Sequence, residues 1–263
     1  MMSLLARLFK RRPSIQWTPD LQSEIRRCFE EAAADEEHFP STIDPRILHV
    51  RLIVDFFGDL AAGAVLDVGC GKGRFARILK DRNPRARVVA SDLAVSMLAH
   101  APSDLCRVSA SMLQLPFPSG AFSAAYATES LEHAVDIPAA VAEICRVVAP
   151  GGKIVIIDKN AEHWGRFQTP KWERWFRREE LLALLLRHCA QADCRPISYW
   201  EDVEPDGLFL EPLRQAEPFA HLGESYPARV GRPRDQPGQK GDGSCERGDA
   251  GVKGAHPGSH GGK

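Results

Sequence analysis

Between residues 47 and 160 the apolar positions of this chain switch repeatedly between two periods. Ile47, Leu48, Val50, Leu52, Ile53, Phe56 and Phe57 recur at helical intervals. Short apolar runs at 64–68, 87–91, 106–109, 121–127 and 154–158 each predict a buried strand. Between the runs, Phe75, Ile78 and Leu79 predict a helix over 73–81. A short helix is expected over 95–100, and Val141, Ile144, Val147 and Val148 predict another over 138–148. Strands alternating with helices build a doubly wound α/β fold, a mostly parallel sheet with helices on both faces.

The flanks read differently. Leu21 to Ala34 has helical spacing, and Phe39-Pro40-Ser41-Thr42-Ile43-Asp44-Pro45 breaks it. Residues 1–45 are therefore an N-terminal helical extension, a lid or a brace, ahead of an α/β domain over 46–222. Late in that domain, Glu179–Ala190 predicts a helix. Ile197-Ser198-Tyr199-Trp200 and Gly207-Leu208-Phe209-Leu210 predict the last two strands. Residues 223–263 are rich in Gly, Pro, Asp and Lys and poor in large aliphatics, so they are expected to stay disordered.

Chemistry concentrates where the first strand ends. Val65-Leu66-Asp67-Val68 runs into Gly69-Cys70-Gly71-Lys72-Gly73-Arg74-Phe75, and Asp92 closes the second strand. Glycines let backbone approach a ligand, and a carboxylate on the next strand meets a ribose. A dinucleotide loop has the spacing G-x-G-x-x-G; here Arg74 stands where its third glycine belongs. Arg74 argues against a nicotinamide-dependent oxidoreductase.

The spacing G-x-G-x-G, with Asp67 before it and Asp92 after it, resembles motif I of the class I S-adenosylmethionine-dependent methyltransferases. Leu115-Pro116-Phe117-Pro118 with Ala121-Phe122, Thr128-Glu129-Ser130-Leu131-Glu132-His133, and Arg146-Val147-Val148-Ala149-Pro150-Gly151-Gly152-Lys153 resemble further stretches of that family, in order. The resemblance implies a Rossmann-like, seven-stranded sheet and S-adenosyl-L-methionine as cofactor. By it, Asp67, Gly69, Cys70, Gly71, Gly73, Asp92, Leu93, Ser111, Met112, Leu113 and Thr128 surround the cofactor. Two positions depart from the pattern. Ser111 stands where an acidic residue commonly holds the adenine amino group, and Ser123 stands where Asp often follows Phe122.

The resemblance is to the small-molecule, quinone-biosynthesis-like branch, which implies O- or C-methylation by in-line displacement. No Asn/Asp-Pro-Pro-aromatic signature and no Pro-Cys nucleophile points to a nucleic-acid base. A non-catalytic methyltransferase-like binding or scaffold protein is the alternative. For an acceptor that must lose a proton, His133, with Glu129 one helical turn before it, and Asp158 at the end of strand five are the candidate bases. Alternatively, Glu132 and His133 only cap or pack a helix start. Trp164, Trp172 and Trp175 are placed to wall an apolar acceptor pocket, with Arg166 or Lys171 holding an anionic group.

Composition narrows the partners. A formal charge of −1 offers no general attraction to nucleic acid. The seven cysteines form no CxxC pair, so no metal is expected and a reduced, cytoplasmic setting is the simplest reading. No run reaches the ~20 apolar residues of a membrane span. Leu4, Leu5, Leu8 and Phe9 among Arg7, Lys10, Arg11 and Arg12 allow at most weak membrane-surface contact at the N-terminus.

Overall fold

The computed structural model describes residues 18–60, 63–164 and 169–197, and the backbone of 225–233. Seven strands form one sheet: β1 (Ala64–Val68), β2 (Arg87–Asp92), β3 (Cys106–Ser109), β4 (Phe122–Thr128), β5 (Val148–Lys159), β6 (Cys189–Cys194) and β7 (Ser225–Pro233). Their order is β3-β2-β1-β4-β5-β7-β6. β1 to β5 pair in parallel, and β7 runs antiparallel between β5 and β6. The helices are α1 (Pro19–Ala32), α2 (Leu48–Phe57), α3 (Arg74–Arg82), α4 (Val95–His100), α5 (Ile137–Val147) and α6 (Arg178–Leu186).

Alternation along the central strands feeds two apolar layers. Leu66, Val68, Ala125, Ala127, Ile154 and Ile156 pack with Val141 and Ile144 of α5 and with Leu181 and Leu185 of α6. Val65, Ala124, Tyr126, Val155 and Ile157 pack with Ile53 and Phe57 of α2 and with Phe75 and Leu79 of α3. Both faces are covered, which is why these strands read as continuous apolar runs. Ile144 is fully buried, so truncating it to Ala is expected to cost about 2–5 kcal/mol.

Strand order reverses between β1 and β4: β2 and β3 lie to one side of β1, and β4 and β5 to the other. Such a switch opens a crevice beyond the carboxyl ends of the two strands. The glycine loop follows β1 directly, and Glu129 to His133 follow β4. Topology thus brings two segments about 60 residues apart to one sheet edge.

The sheet's far side differs from expectation. The predicted helix over 179–190 stops at Leu186, and Cys189–Cys194 is β6. The last described strand is Ser225–Pro233, which lies beyond residue 223 in the stretch expected to stay disordered. Its register pairs Ile154 with Val230 and Lys159 with Ser225. The reason is partner-driven: the edge of β5 offers a row of N–H and C=O groups, and a neighbour's ladder can organise a segment whose own composition is poor in strand formers. Residues 198–200 and 207–210, the remainder of the tail and the basic N-terminus lie outside the described residues. Among the described residues, no helix is long and apolar enough to cross a membrane.

Candidate functional site

A cavity of about 530 Å³ opens at the switch point. Its floor is the glycine loop. Gly69 (φ 71°) and Gly71 (φ 53°) take the left-handed backbone that side chains disfavour. A Cβ on Gly69 would fall 2.5 Å from Ser130 Cβ, so glycine is required there by packing as well as by backbone. The loop is pinned to β2: Gly69 and Cys70 donate their N–H groups to Ser91 O at 2.8 and 2.9 Å. Asp92 continues the clamp. Its Oδ2 accepts the Gly71 N–H at 2.8 Å, and its Oδ1 accepts the Ala94 N–H at 2.8 Å. Each carboxylate oxygen keeps a lone pair for a ligand hydroxyl. Burial raises the Asp92 carboxyl above its ordinary value and raises the Cys70 thiol well above its own, so Cys70 is no nucleophile.

Asp67, Gly69, Cys70, Gly71, Asp92, Leu93, Ser111, Met112, Leu113 and Thr128 all line this cavity. Gly73 does not. It is left-handed (φ 75°) and presses against Ala101 and Pro102, where a Cβ would come within 3.2 Å. The third glycine therefore serves packing of the loop onto the segment after α4, not a ligand. Asp67 lies beneath the loop, where Tyr126 donates its hydroxyl to Oδ2 at 2.8 Å. Burial nevertheless pushes Asp67 up to about 7.

Lys72 was not legible in the sequence as part of the site, and helix α1 was expected as either a lid or a brace. Lys72, inside the loop, buries its side chain and reaches Glu36 Oε1 at 2.6 Å and Asp35 O at 3.0 Å. Helix α1 forms a roof: Gln22, Ile25, Cys28 and Phe29 line the cavity. Gln22 Nε2 donates to Ser111 Oγ at 2.8 Å, so the hydroxyl at the position departing from the family pattern is tied to the roof. Ser123, the other departure, donates to Ala64 O far from the cavity.

At the opposite end the wall is aromatic and ionic. Phe29, His133, Trp172 and Trp175 line it, with Glu132, Lys159 and Glu173. Trp164 stands behind, edge-on to Trp175 at 5.4 Å. Lys171 is exposed and does not line the cavity, and Arg166 lies outside the described residues. The cavity's lysine here is Lys159, whose Nζ lies 2.8 Å from Glu132 Oε1 and 3.3 Å from Glu173 Oε1.

The three expected bases fare unequally. Residues 131–133 form a single 3-10 turn, and Glu129 sits at φ 51°, so Glu129 and His133 do not share a helix face. Glu129 instead meets Arg74 at 3.3 Å. Asp158 is buried and does not line the cavity; its Oδ2 accepts the Glu132 N–H at 3.1 Å. His133 does line it, but Trp172 Nε1 donates to Nδ1 at 3.3 Å. Its own proton then rests on Nε2, 3.4 Å from Glu132 Oε1. Burial and the Lys159 charge push His133 down to about 3. In this arrangement the Trp172 N–H occupies the Nδ1 lone pair, and burial disfavours the charged ring.

The fold is a Rossmann-like doubly wound sheet with its cavity at the switch point, and comparison with known proteins places it further. Residues 66–156 match the family model of a methyltransferase domain. The chain is 36% identical over 115 residues to the demethylmenaquinone methyltransferase of Thermus thermophilus, covering 41% of this chain and 52% of that protein. It is 29% identical over 138 residues to a malonyl-[acyl-carrier protein] O-methyltransferase of Dechloromonas aromatica, covering 51% and 50%. The chain thus spans about half the length of the curated relatives it matches. Geranyl diphosphate C-methyltransferase of Streptomyces coelicolor superposes with a TM-score of 0.56 at 18% identity, covering 84% of this chain and 100% of that one, a likeness of fold. Residues 66–156 are thus similar to a methyltransferase domain, set in a fold shared with solved methyltransferases.

Proposed function

We propose that this protein is an S-adenosylmethionine-dependent methyltransferase that methylates a small-molecule acceptor at oxygen or carbon by in-line displacement. The observation that carries the reading is that the glycine loop, Asp92 and an aromatic-walled pocket share one cavity. The loop residues fit the cofactor: no heavy atom would meet a Cβ on Gly71, so its backbone faces open space, and Thr128 Oγ1 is a buried hydroxyl without a partner. When bound, the cofactor supplies an activated methyl group on a sulfonium.

The chain's own residues do the rest. Gly69, Cys70 and Gly71 form the backbone floor, and Asp67 is placed to meet an amino group. Asp92 would hold ribose hydroxyls. Leu93, Ser111, Met112 and Leu113 would border the adenine. Helix α1 and Trp172 exclude water and hold the acceptor against the methyl group. Relatives named for demethylmenaquinone and for malonyl-[acyl-carrier protein] are in keeping with an acceptor that is apolar or anionic. The cytoplasmic setting rests on the cysteines, of which those in the described residues are all free thiols.

The test is calorimetric titration with S-adenosylhomocysteine, with NADH alongside and Asp92→Ala as control. Binding of S-adenosylhomocysteine alone, lost in the variant, is the expected result. Binding of NADH, or of neither ligand by folded protein, would overturn the reading.

A further inference from the structure

The acceptor end of the cavity holds a carboxylate to which the sequence motifs assigned no chemistry. Glu132 is 1% exposed yet lines the cavity, as Phe29 of α1 and Trp172 do. Its Oε1 is fixed by Lys159 at 2.8 Å, with His133 Nε2 at 3.4 Å. Its Oε2 has no hydrogen-bond donor at all. A buried carboxylate oxygen without a donor is costly, and such orphans ask for an explanation. Among the described residues, buried side-chain atoms without partners are Thr128 Oγ1, Glu132 Oε2 and Asn160 Nδ2, and the first two belong to cavity-lining residues.

A proton would satisfy Oε2. Asp158 of β5 lies against Glu132, and a proton on Glu132 is held by a hydrogen bond to that second carboxylate. The groups facing Glu132 are Asp158 and Lys159 from β5, Glu173 from the segment before α6, and His133 from its own turn. Lys159 is itself held, 3.3 Å from each Glu173 oxygen, and Glu173 is fixed by Trp175 Nε1 at 2.9 Å. The arrangement is a rigid berth for one proton at the wall of the acceptor pocket.

Building on the methyltransferase reading above, we infer that Glu132, backed by Asp158 and positioned by Lys159, takes the proton that the acceptor loses on methylation. The acceptor atom forms its bond to the methyl carbon while the carbon–sulfur bond breaks, its electron pair staying on sulfur. The acceptor's O–H or C–H proton passes to Glu132 Oε2, and the resulting carboxyl later releases it to solvent. Burial and the neighbouring Asp158 hold the Glu132 carboxyl well above its ordinary range, with the Lys159 charge opposing. A sulfonium charge beside it favours the ionised form and readies the base.

The test needs no acceptor. The full chain is titrated calorimetrically with S-adenosylmethionine and with S-adenosylhomocysteine, each in two buffers of different ionisation enthalpy near neutral pH. The two ligands share every group that Asp67 and Asp92 would meet and differ by the methyl group and its positive charge. The expected result is release of up to about one more proton with S-adenosylmethionine than with S-adenosylhomocysteine. Glu132→Gln is expected to abolish that difference while binding S-adenosylhomocysteine like the wild type. Equal proton release for both ligands, or a difference that survives in Glu132→Gln, overturns the inference alone; failure of either ligand to bind overturns the methyltransferase reading with it. Should Glu132→Gln not fold, Asp158→Asn decides. Asp158 is one of the groups that raise the Glu132 carboxyl, so removing its charge should reduce the extra release at neutral pH, and an unchanged release overturns the inference.

Discussion

Lys72 extends from the glycine loop to the loop after α1, where its ammonium sits 2.6 Å from the Glu36 carboxylate. The lysine side chain is 1% exposed and the glutamate 55%. A buried cation is thus neutralised by a partner on the N-terminal segment, and the floor of the cavity is latched to its roof. The hydrogen bond from Lys72 is the main cause holding the Glu36 carboxyl down at about 2.

Glu36→Gln should therefore loosen the roof without unfolding the sheet. The expected outcome is faster tryptic cleavage at Arg26 and Arg27 of α1 and faster release of S-adenosylhomocysteine. Because the Glu36 carboxyl is depressed below its ordinary value, the latch is complete above about pH 4.5 and lost as pH falls through about 2. The variant should show no altered pH dependence near neutrality, and an intact, equally protected α1 would count against the latch.

A second tie runs from Glu30 of α1 to the start of α4. Its two oxygens accept the N–H groups of Val95 and Ser96 at 2.8 and 2.7 Å, satisfying orphan donors that α4 does not cap itself. Glu30→Ala is expected to cost about 1 kcal/mol, as loss of a helix cap does. In a thermal melt that is a shift of a few degrees, roughly 2–4 °C for a domain of this size.

Asp67 gives the fold a pH signature. Its carboxyl is raised from 3.8 to about 7, by burial first, with the Tyr126 hydrogen bond opposing. The unfolded chain releases that proton at lower pH than the folded one, so this residue makes stability fall as pH rises from about 4 to about 7. Relative to the wild type, Asp67→Asn should flatten the melting temperature over that window. Parallel curves for the two proteins would refute the assignment.

Ser111 tests the departure from the family pattern. Restoring a carboxylate by Ser111→Asp adds charge assistance toward an adenine amino group, and Gln22 can still donate to it. S-adenosylhomocysteine should bind more tightly by about 1 kcal/mol, or roughly fivefold by calorimetry. Weaker binding would place the adenine elsewhere.

The glycine loop, β1 to β5 and helices α1 to α5 were legible because each is a local pattern. Strand periods, the turn glycines and the Asp92 position are all set by neighbours within a few residues. The base was not legible. Glu129 and His133 match a helical spacing, but a left-handed Glu129 and a 3-10 turn rotate them apart, and Glu132 joins them at the cavity wall. Nor did spacing reveal that Gly73 packs against Ala101, or that Lys159 rather than Lys171 reaches the acceptor wall.

The sequence by itself determined the class of sheet, the loop that floors the cavity and the kind of ligand such a loop admits. These follow from local periodicity and from the absence of a Cβ where backbone must bend or lie bare. Tertiary structure decided the rest. Ser225–Pro233 is a strand because the edge of β5 pairs with it. Helix α1 is a roof because Lys72 and the α4 amides hold it. Glu132 is set apart from Glu129 because Lys159, Asp158 and Glu173 converge on it from distant segments, and the proton affinity of a buried carboxyl is set by its neighbours in space.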